Sequence, residues 1–235
     1  MPTDLHTESL RVPYRGRDFE VYQARPQGEG AVPAVLVVHE WWGLNDHIRD
    51  VADRLAREGF RALAPDLFDG RVTKDAQEAA AMMAALDQKE AVGKLSAVVD
   101  SIGANAGSGT GVLGFCMGGS YTIELTARDG RIRAAVPFYG QVPGDEVLAG
   151  LRAPVLFFAA GRDQWITREE TGRLAAYLRR AGLPGEVVRY ADADHAFFND
   201  TREGVYRADL AQDAWKRAVA FLKQHLGAAA TAGTG

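Results

Sequence analysis

Apolar and polar positions along this chain change their period several times, and each change marks an expected element. Between Ser9 and Tyr14, and again between Phe19 and Ala24, apolar residues alternate with polar ones around Arg15-Gly16-Arg17. A period of two predicts half-buried strands, here an antiparallel hairpin at a sheet edge. After a turn at Pro26–Gly30, Ala34-Val35-Leu36-Val37-Val38 is apolar throughout, the mark of a strand covered on both faces. Asp46–Glu58 carries Ile48, Val51, Ala52 and Leu55 at helical spacing and is closed by Gly59. A short strand, Phe60–Ala64, runs into Pro65-Asp66. Helices are expected over Asp75–Ala85 and Glu90–Ala104, then a strand over Thr110–Phe115 and a helix over Met117–Ala127. Strands follow at Ile132–Phe138 and Val155–Ala159, and a helix at Arg168–Ala181 stops at Gly182 and Pro184. The last strand is Glu186–Tyr190 and the last helix the long amphipathic Val205–Leu226. The small-residue tail Gly227–Gly235 is expected to fray. No repeat or linker divides residues 1–235, so the pattern predicts one α/β domain, with a mostly parallel sheet between helices on both faces.

Composition narrows the partners. A chain of 235 residues can bury a core that needs no disulfide, and its single cysteine cannot form one internally, which fits a reducing compartment. Met1–His6 has neither the basic nor the apolar region of a secretory signal, and no apolar run reaches bilayer length. The net charge of −4 is mild and the arginines are scattered. Nucleic acid and membrane are therefore not expected as partners. The expectation is a cytoplasmic protein, monomeric or a small homo-oligomer, acting on a small molecule without a cofactor.

The chemistry centres on Val112-Leu113-Gly114-Phe115-Cys116-Met117-Gly118-Gly119-Ser120, where an apolar strand stops at a cysteine and restarts as a helix. Glycines two places either side give Gly-x-Cys-x-Gly. A nucleophile on such a turn takes a strained backbone, and side chains at the flanks would collide with neighbouring elements. The helix N-terminus favours a thiolate at Cys116, and the Met117 N–H is free to donate to an oxyanion. Cysteines of this kind are most often small buried hydrophobes. The strand-turn-helix context argues for a nucleophile instead.

A nucleophile needs a base, and the base an orienting carboxylate. His195 follows the last expected strand, and Asp163 lies in the loop after the strand at Val155. Both fall beyond strand C-termini, where open α/β sheets bind ligands. The order Cys116, Asp163, His195 matches the nucleophile–acid–histidine order of α/β-hydrolases. Asp194 is a weaker acid candidate, since adjacent loop residues seldom face each other. His6 and His225 fall near chain ends, His47 on a first helical turn, and His39 could hydrogen-bond within the sheet. No metal-ligand spacing occurs. Gly109-Thr110-Gly111-Val112-Leu113-Gly114 matches a dinucleotide fingerprint, but its first glycines precede the strand they should follow, so nucleotide binding is rejected.

Four local motifs make the chain resemble the dienelactone hydrolase family of α/β-hydrolases: His39-Glu40-Trp41-Trp42-Gly43, Pro65-Asp66-Leu67-Phe68, Gly114-Phe115-Cys116-Met117-Gly118-Gly119 and Asp194-His195-Ala196-Phe197. The resemblance implies the α/β-hydrolase fold, with Cys116 as nucleophile, His195 as base and Asp163 as orienter. It also implies that Glu40 approaches the thiol and that the backbone N–H groups of Trp41 and Met117 form the oxyanion hole. Family substrates are unsaturated lactones bearing a carboxylate held by two arginines. Arg71 lies where the first is expected. Asn199 occupies the matching position of the second, and Arg202 is the nearby substitute. Tyr139, at another strand end, is expected either at the pocket wall or in the core. The expected activity is cysteine-dependent hydrolysis of esters or lactones through an acyl-enzyme. The alternatives are a general carboxylesterase without lactone preference, or a non-catalytic thiol sensor or binding protein on the same fold.

Overall fold

The computed structural model describes residues 4–28, 30–103 and 109–227. Eight strands form one sheet in the order β1-β2-β4-β3-β5-β6-β7-β8. The antiparallel hairpin is β1 (Leu5–Tyr14) and β2 (Arg17–Pro26), and β2 also pairs antiparallel with β4 (Arg61–Pro65). From β4 through β3 (Ala34–Val38), β5 (Thr110–Phe115), β6 (Ile132–Phe138), β7 (Val155–Ala160) and β8 (Gly185–Tyr190) all pairing is parallel. Every residue of β3, β5 and β7 is buried, which is why their sequences run apolar without alternation. The hairpin, lying at the edge, keeps a mixed pattern of exposed and buried residues.

Helices cover both faces. Ile48, Val51 and Leu55 of α1 (Asp46–Arg57) and Ala214, Ala218 and Leu222 of α7 (Ala208–Leu226) pack on one face. Leu95 and Val98 of α3 (Gln88–Ile102), Ile123 and Leu125 of α4 (Met117–Arg128) and Leu174 and Leu178 of α6 (Arg168–Ala181) pack on the other. Each fully buried aliphatic side chain of this kind contributes about 1.5–3 kcal/mol. Helix starts follow their capping residues. Asn45 accepts from the Ile48 N–H, Asp75 caps α2 (Ala76–Ala85), Asp87 caps α3, and Thr167 with Glu170 closes a capping box on α6. The N-cap position of α4 is Cys116, and it makes no side-chain cap.

Departures from the expected boundaries have local causes. The hairpin extends outward because Leu5 pairs with Pro26 in unbroken register. The four-residue α5 (Asp145–Leu148) has no apolar period long enough to read in a sequence. The last helix begins at Ala208, not Val205, because turns hold the chain before it: the Arg202 N–H donates to the Asn199 carbonyl and the Arg207 N–H to that of Phe197, at 3.0 Å each. Ala104, the expected end of α3, lies outside the described residues. Of the tail expected to fray, Gly227 is the C-cap of α7 in a left-handed conformation, and residues 228–235 lie outside the described residues. Among the described residues no helix is long and apolar enough to cross a membrane.

Candidate active site

The C-terminal ends of β3, β5, β6, β7 and β8 carry the loops around one cavity of about 590 Å³. Its position follows from the sheet, since parallel strands all deliver their following loops to the same edge. The sharpest of these turns is at Cys116, where φ is +52° and ψ −117°. A side chain at Gly114 would put its Cβ 2.5 Å from the Thr122 hydroxyl and against the Gly118 carbonyl. One at Gly118 would meet the carbonyls of Val38 and His39. The two glycines therefore let β5, α4 and the end of β3 close on one another, and that closure holds Cys116 in a backbone region disfavoured for its side chain. Tyr139 (φ +37°) and Ala196 (φ +66°), at the ends of β6 and after β8, are held in the same unusual region. All three line the cavity.

The loops bring Asp163 and His195 together, with His195 Nδ1 2.8 Å from Asp163 Oδ2. The other carboxylate oxygen accepts from the N–H groups of Trp165 at 2.9 Å and Ile166 at 3.1 Å. Burial alone would raise the Asp163 pKa, but the His195 bond, the His195 charge and the two backbone donors outweigh it and lower the value. For His195, burial works downward, while its bonds to Asp163 and Cys116 and their charges push the pKa up to about 10. The imidazole thus sits between a carboxylate and a thiol. Asp194 also borders the cavity but makes no bond to the His195 ring among the described residues.

Glu40 lies at the end of β3 and is 2% exposed. Its carboxylate accepts from the Tyr139 hydroxyl at 3.3 Å and from the Asn199 side-chain amide. Neither donor is charged, and no salt bridge reaches Glu40 among the described residues. Burial, together with the Glu40 and Cys116 charges, holds the Tyr139 phenol well above its usual pKa, so it remains a donor. Its ring also lies 5.0 Å from that of His195. Tyr139 is thus both a wall residue and fully buried. Trp41 and Met117, each the first residue after Glu40 or Cys116, line the same cavity. The N–H of Met117 is in the first turn of α4, where it has no intrahelical acceptor.

Neither Arg71 nor Asn199 is among the residues that line the cavity. The backbone carbonyl of Arg71 packs against Gly43, and its side chain pairs with Glu78 at 3.5 Å, 58% exposed and away from the cavity wall. Asn199 is fully buried behind Glu40. Its amide oxygen is taken by the Thr201 N–H at 3.0 Å and hydroxyl at 2.6 Å, which leaves its amino group to Glu40. Arg202 does border the cavity, stacked over the Trp42 ring at 4.7 Å. Arg162, beside Asp163, and Trp165, two residues beyond it, are wall residues that the motifs did not single out. Their nearness to a strand-end acid was the available signal. His39 has a structural part: its Nδ1 donates to the Glu40 carbonyl at 2.6 Å and its Nε2 accepts from the Leu67 N–H at 3.1 Å, tying the β3 loop to the β4 loop. Burial lowers its pKa, consistent with this neutral tautomer.

A strand-end cysteine, histidine and aspartate over one cavity occur here with a Glu-Trp-Trp-Gly loop, and comparison with known proteins gives that combination its place. The sequence model of the dienelactone hydrolase family matches residues 19–226. The chain belongs to the dienelactone hydrolase family. It is 34% identical over 251 residues to a Salmonella typhi protein named "Putative carboxymethylenebutenolidase", covering 96% of this chain and 93% of that one. The crystal structure of a "Putative Dienelactone Hydrolase" from Klebsiella pneumoniae superposes with a TM-score of 0.86 at 30% identity, covering 94% of this chain and 99% of that one. A cold-adapted esterase from an Arctic intertidal metagenomic library shares the α/β-hydrolase fold, with a TM-score of 0.73 at 20% identity over 96% of this chain and 95% of its own. The family model's match takes in every residue that borders the cavity. The protein has the α/β-hydrolase fold, a mostly parallel sheet with an antiparallel N-terminal hairpin.

Proposed function

We propose that this dienelactone hydrolase family member hydrolyses carboxylic esters or lactones with Cys116 as nucleophile, His195 as base and Asp163 as orienter. The observation that carries the reading is the 2.8 Å link from Asp163 to His195, an imidazole whose pKa the nearby Cys116 also raises. The Cys116 sulfur attacks the substrate carbonyl while the N–H groups of Trp41 and Met117 receive the oxyanion. Collapse breaks the carbon–oxygen bond, His195 protonates the departing oxygen, and a thioester on Cys116 remains. Water activated by His195 adds to that thioester, and the thiol leaves as the acid forms. Glu40, held among neutral donors and lining the same cavity as Cys116, serves on this reading as a second proton acceptor for the thiol.

The position of Arg71 on Glu78 and the burial of Asn199 favour a second reading within the same chemistry, a carboxylesterase without preference for carboxylated lactones. Arg202, which borders the cavity, is then a cation available to an acidic substrate. Turnover of para-nitrophenyl acetate by wild type, Cys116→Ala and His195→Ala tests the shared chemistry. Activity should require both residues. A protein that alkylates at Cys116 but turns over no ester or lactone would instead be a thiol sensor or binding protein.

A further inference from the structure

Trp165 is the most exposed large apolar side chain among the described residues, at 68%. It serves no core, yet it is not left loose. Its backbone N–H donates to the same Asp163 carboxylate that holds His195, and its ring stands edge-on to the His195 imidazole, centroids 4.9 Å apart at 77°. One carboxylate thus sets the positions of both rings at the cavity wall. We propose that Trp165 is a specificity-determining residue that reads the alcohol portion of the substrate and selects flat aromatic leaving groups.

The inference rests on the catalytic reading of Cys116 and His195 and follows from its proton bookkeeping. When the tetrahedral intermediate collapses, the carbon–oxygen electron pair moves to the leaving oxygen and the proton on His195 goes with it. That oxygen must lie within hydrogen-bond reach of the imidazole. Whatever is bonded to it then meets the side chains flanking His195. These include Tyr139, which is fully buried with its hydroxyl on Glu40, and Trp165, which is 68% exposed. An aromatic or planar unsaturated alcohol can stack there, and a saturated ring of equal size gains less.

The test is a series of acetate esters differing only in the alcohol, with phenyl, naphthyl and cyclohexyl members, on wild type, Trp165→Phe and Trp165→Ala. Comparing variant with wild type for each ester cancels intrinsic leaving-group reactivity. Trp165→Ala should lower the phenyl-to-cyclohexyl ratio of kcat/KM by about two- to tenfold, the range of one aromatic pair. Trp165→Phe should recover most of that ratio. All the acetates share one acetyl-enzyme, so where deacylation limits turnover the change should fall on KM and leave kcat common to the series. Equal losses on aryl and cyclohexyl esters would overturn the inference, as would a loss that followed the acyl group when phenol was kept constant. If Cys116→Ala is inactive and the ratio does not move, this inference fails alone. If Cys116→Ala turns over normally, the catalytic reading itself fails.

Discussion

Asp163→Asn changes little in the shape of the site and a good deal in its chemistry. The asparagine oxygen can still accept from the N–H groups of Trp165 and Ile166, so the turn after β7 should keep its form. The other end of the side chain becomes an amino group facing His195 Nδ1, where a carboxylate oxygen stood at 2.8 Å. A donor in that place turns Nδ1 into an acceptor and puts the imidazole proton on Nε2, leaving that nitrogen unable to take a proton from the thiol. The same exchange in serine-based triads costs about ten-thousandfold in turnover, so a loss of at least about a hundredfold is expected here. Stability should fall by about 1.5–3 kcal/mol, the worth of one hydrogen bond between charged groups. No discount for solvent applies, since the two side chains are 1% and 13% exposed. The stability gap should depend on pH. The pKa of His195 rises on folding from 6.5 to about 10, so its contribution is full below the unfolded value and is lost as pH climbs through the folded one. The gap between wild type and variant should therefore narrow through the alkaline range. Urea midpoints and kcat/KM for para-nitrophenyl acetate, taken together across that range, check both halves. A fall in turnover of less than about tenfold, below what general acid–base catalysis supplies, would refute the reasoning. So would Asp194→Asn proving the more damaging change.

Three further outcomes follow from the geometry. Gly118→Ala should destabilise the protein by about 3 kcal/mol or more, because the new methyl meets backbone carbonyls of Val38 and His39 that have no room to yield, and urea denaturation reads this directly. Asn199→Leu, alike in branching but bulkier, should cost about 3 kcal/mol or more by removing a donor to buried Glu40 and the acceptor for Thr201, and should alter the pH profile of Cys116 alkylation; an unaltered profile would make Asn199 structural only. Arg202→Lys should raise KM for a carboxylated lactone relative to a neutral ester, while Arg71→Lys should treat the two alike, since its guanidinium is engaged by Glu78 outside the cavity.

Much of the architecture was legible because burial on both faces leaves a plain signature. Ala34–Val38 could be bounded to the residue from its unbroken apolar run, and Thr110–Phe115 from an apolar stretch that ends at the glycine-flanked cysteine. Cys116, Asp163 and His195 were legible for a topological reason: each follows a parallel strand, and such strands empty onto one edge. Glu40 and Trp41 were reached through resemblance, since nothing in the local pattern distinguishes a site glutamate from a solvated loop acid. Side-chain direction in the loops was less accessible. Arg71 is close in sequence to the cavity, but the packing of its carbonyl on Gly43 and its pairing with Glu78 turn it outward, and both are tertiary facts. Asn199 reaches a glutamate 159 positions earlier, a contact that no short-range pattern encodes. Trp165 went unnoticed because the hydrophobic pattern marks residues that pack inward, and this one does not.

In the proposed mechanism, catalysis passes through a thioester on Cys116. Mixing the protein with para-nitrophenyl acetate, quenching in acid within the first turnovers and mapping the peptides by mass spectrometry tests it most directly. One acetyl group should appear on the peptide containing Cys116, removable by hydroxylamine, with its decay matching the steady rate of acetate release. Acetylation of another residue, or unaltered turnover by Cys116→Ala, would contradict it.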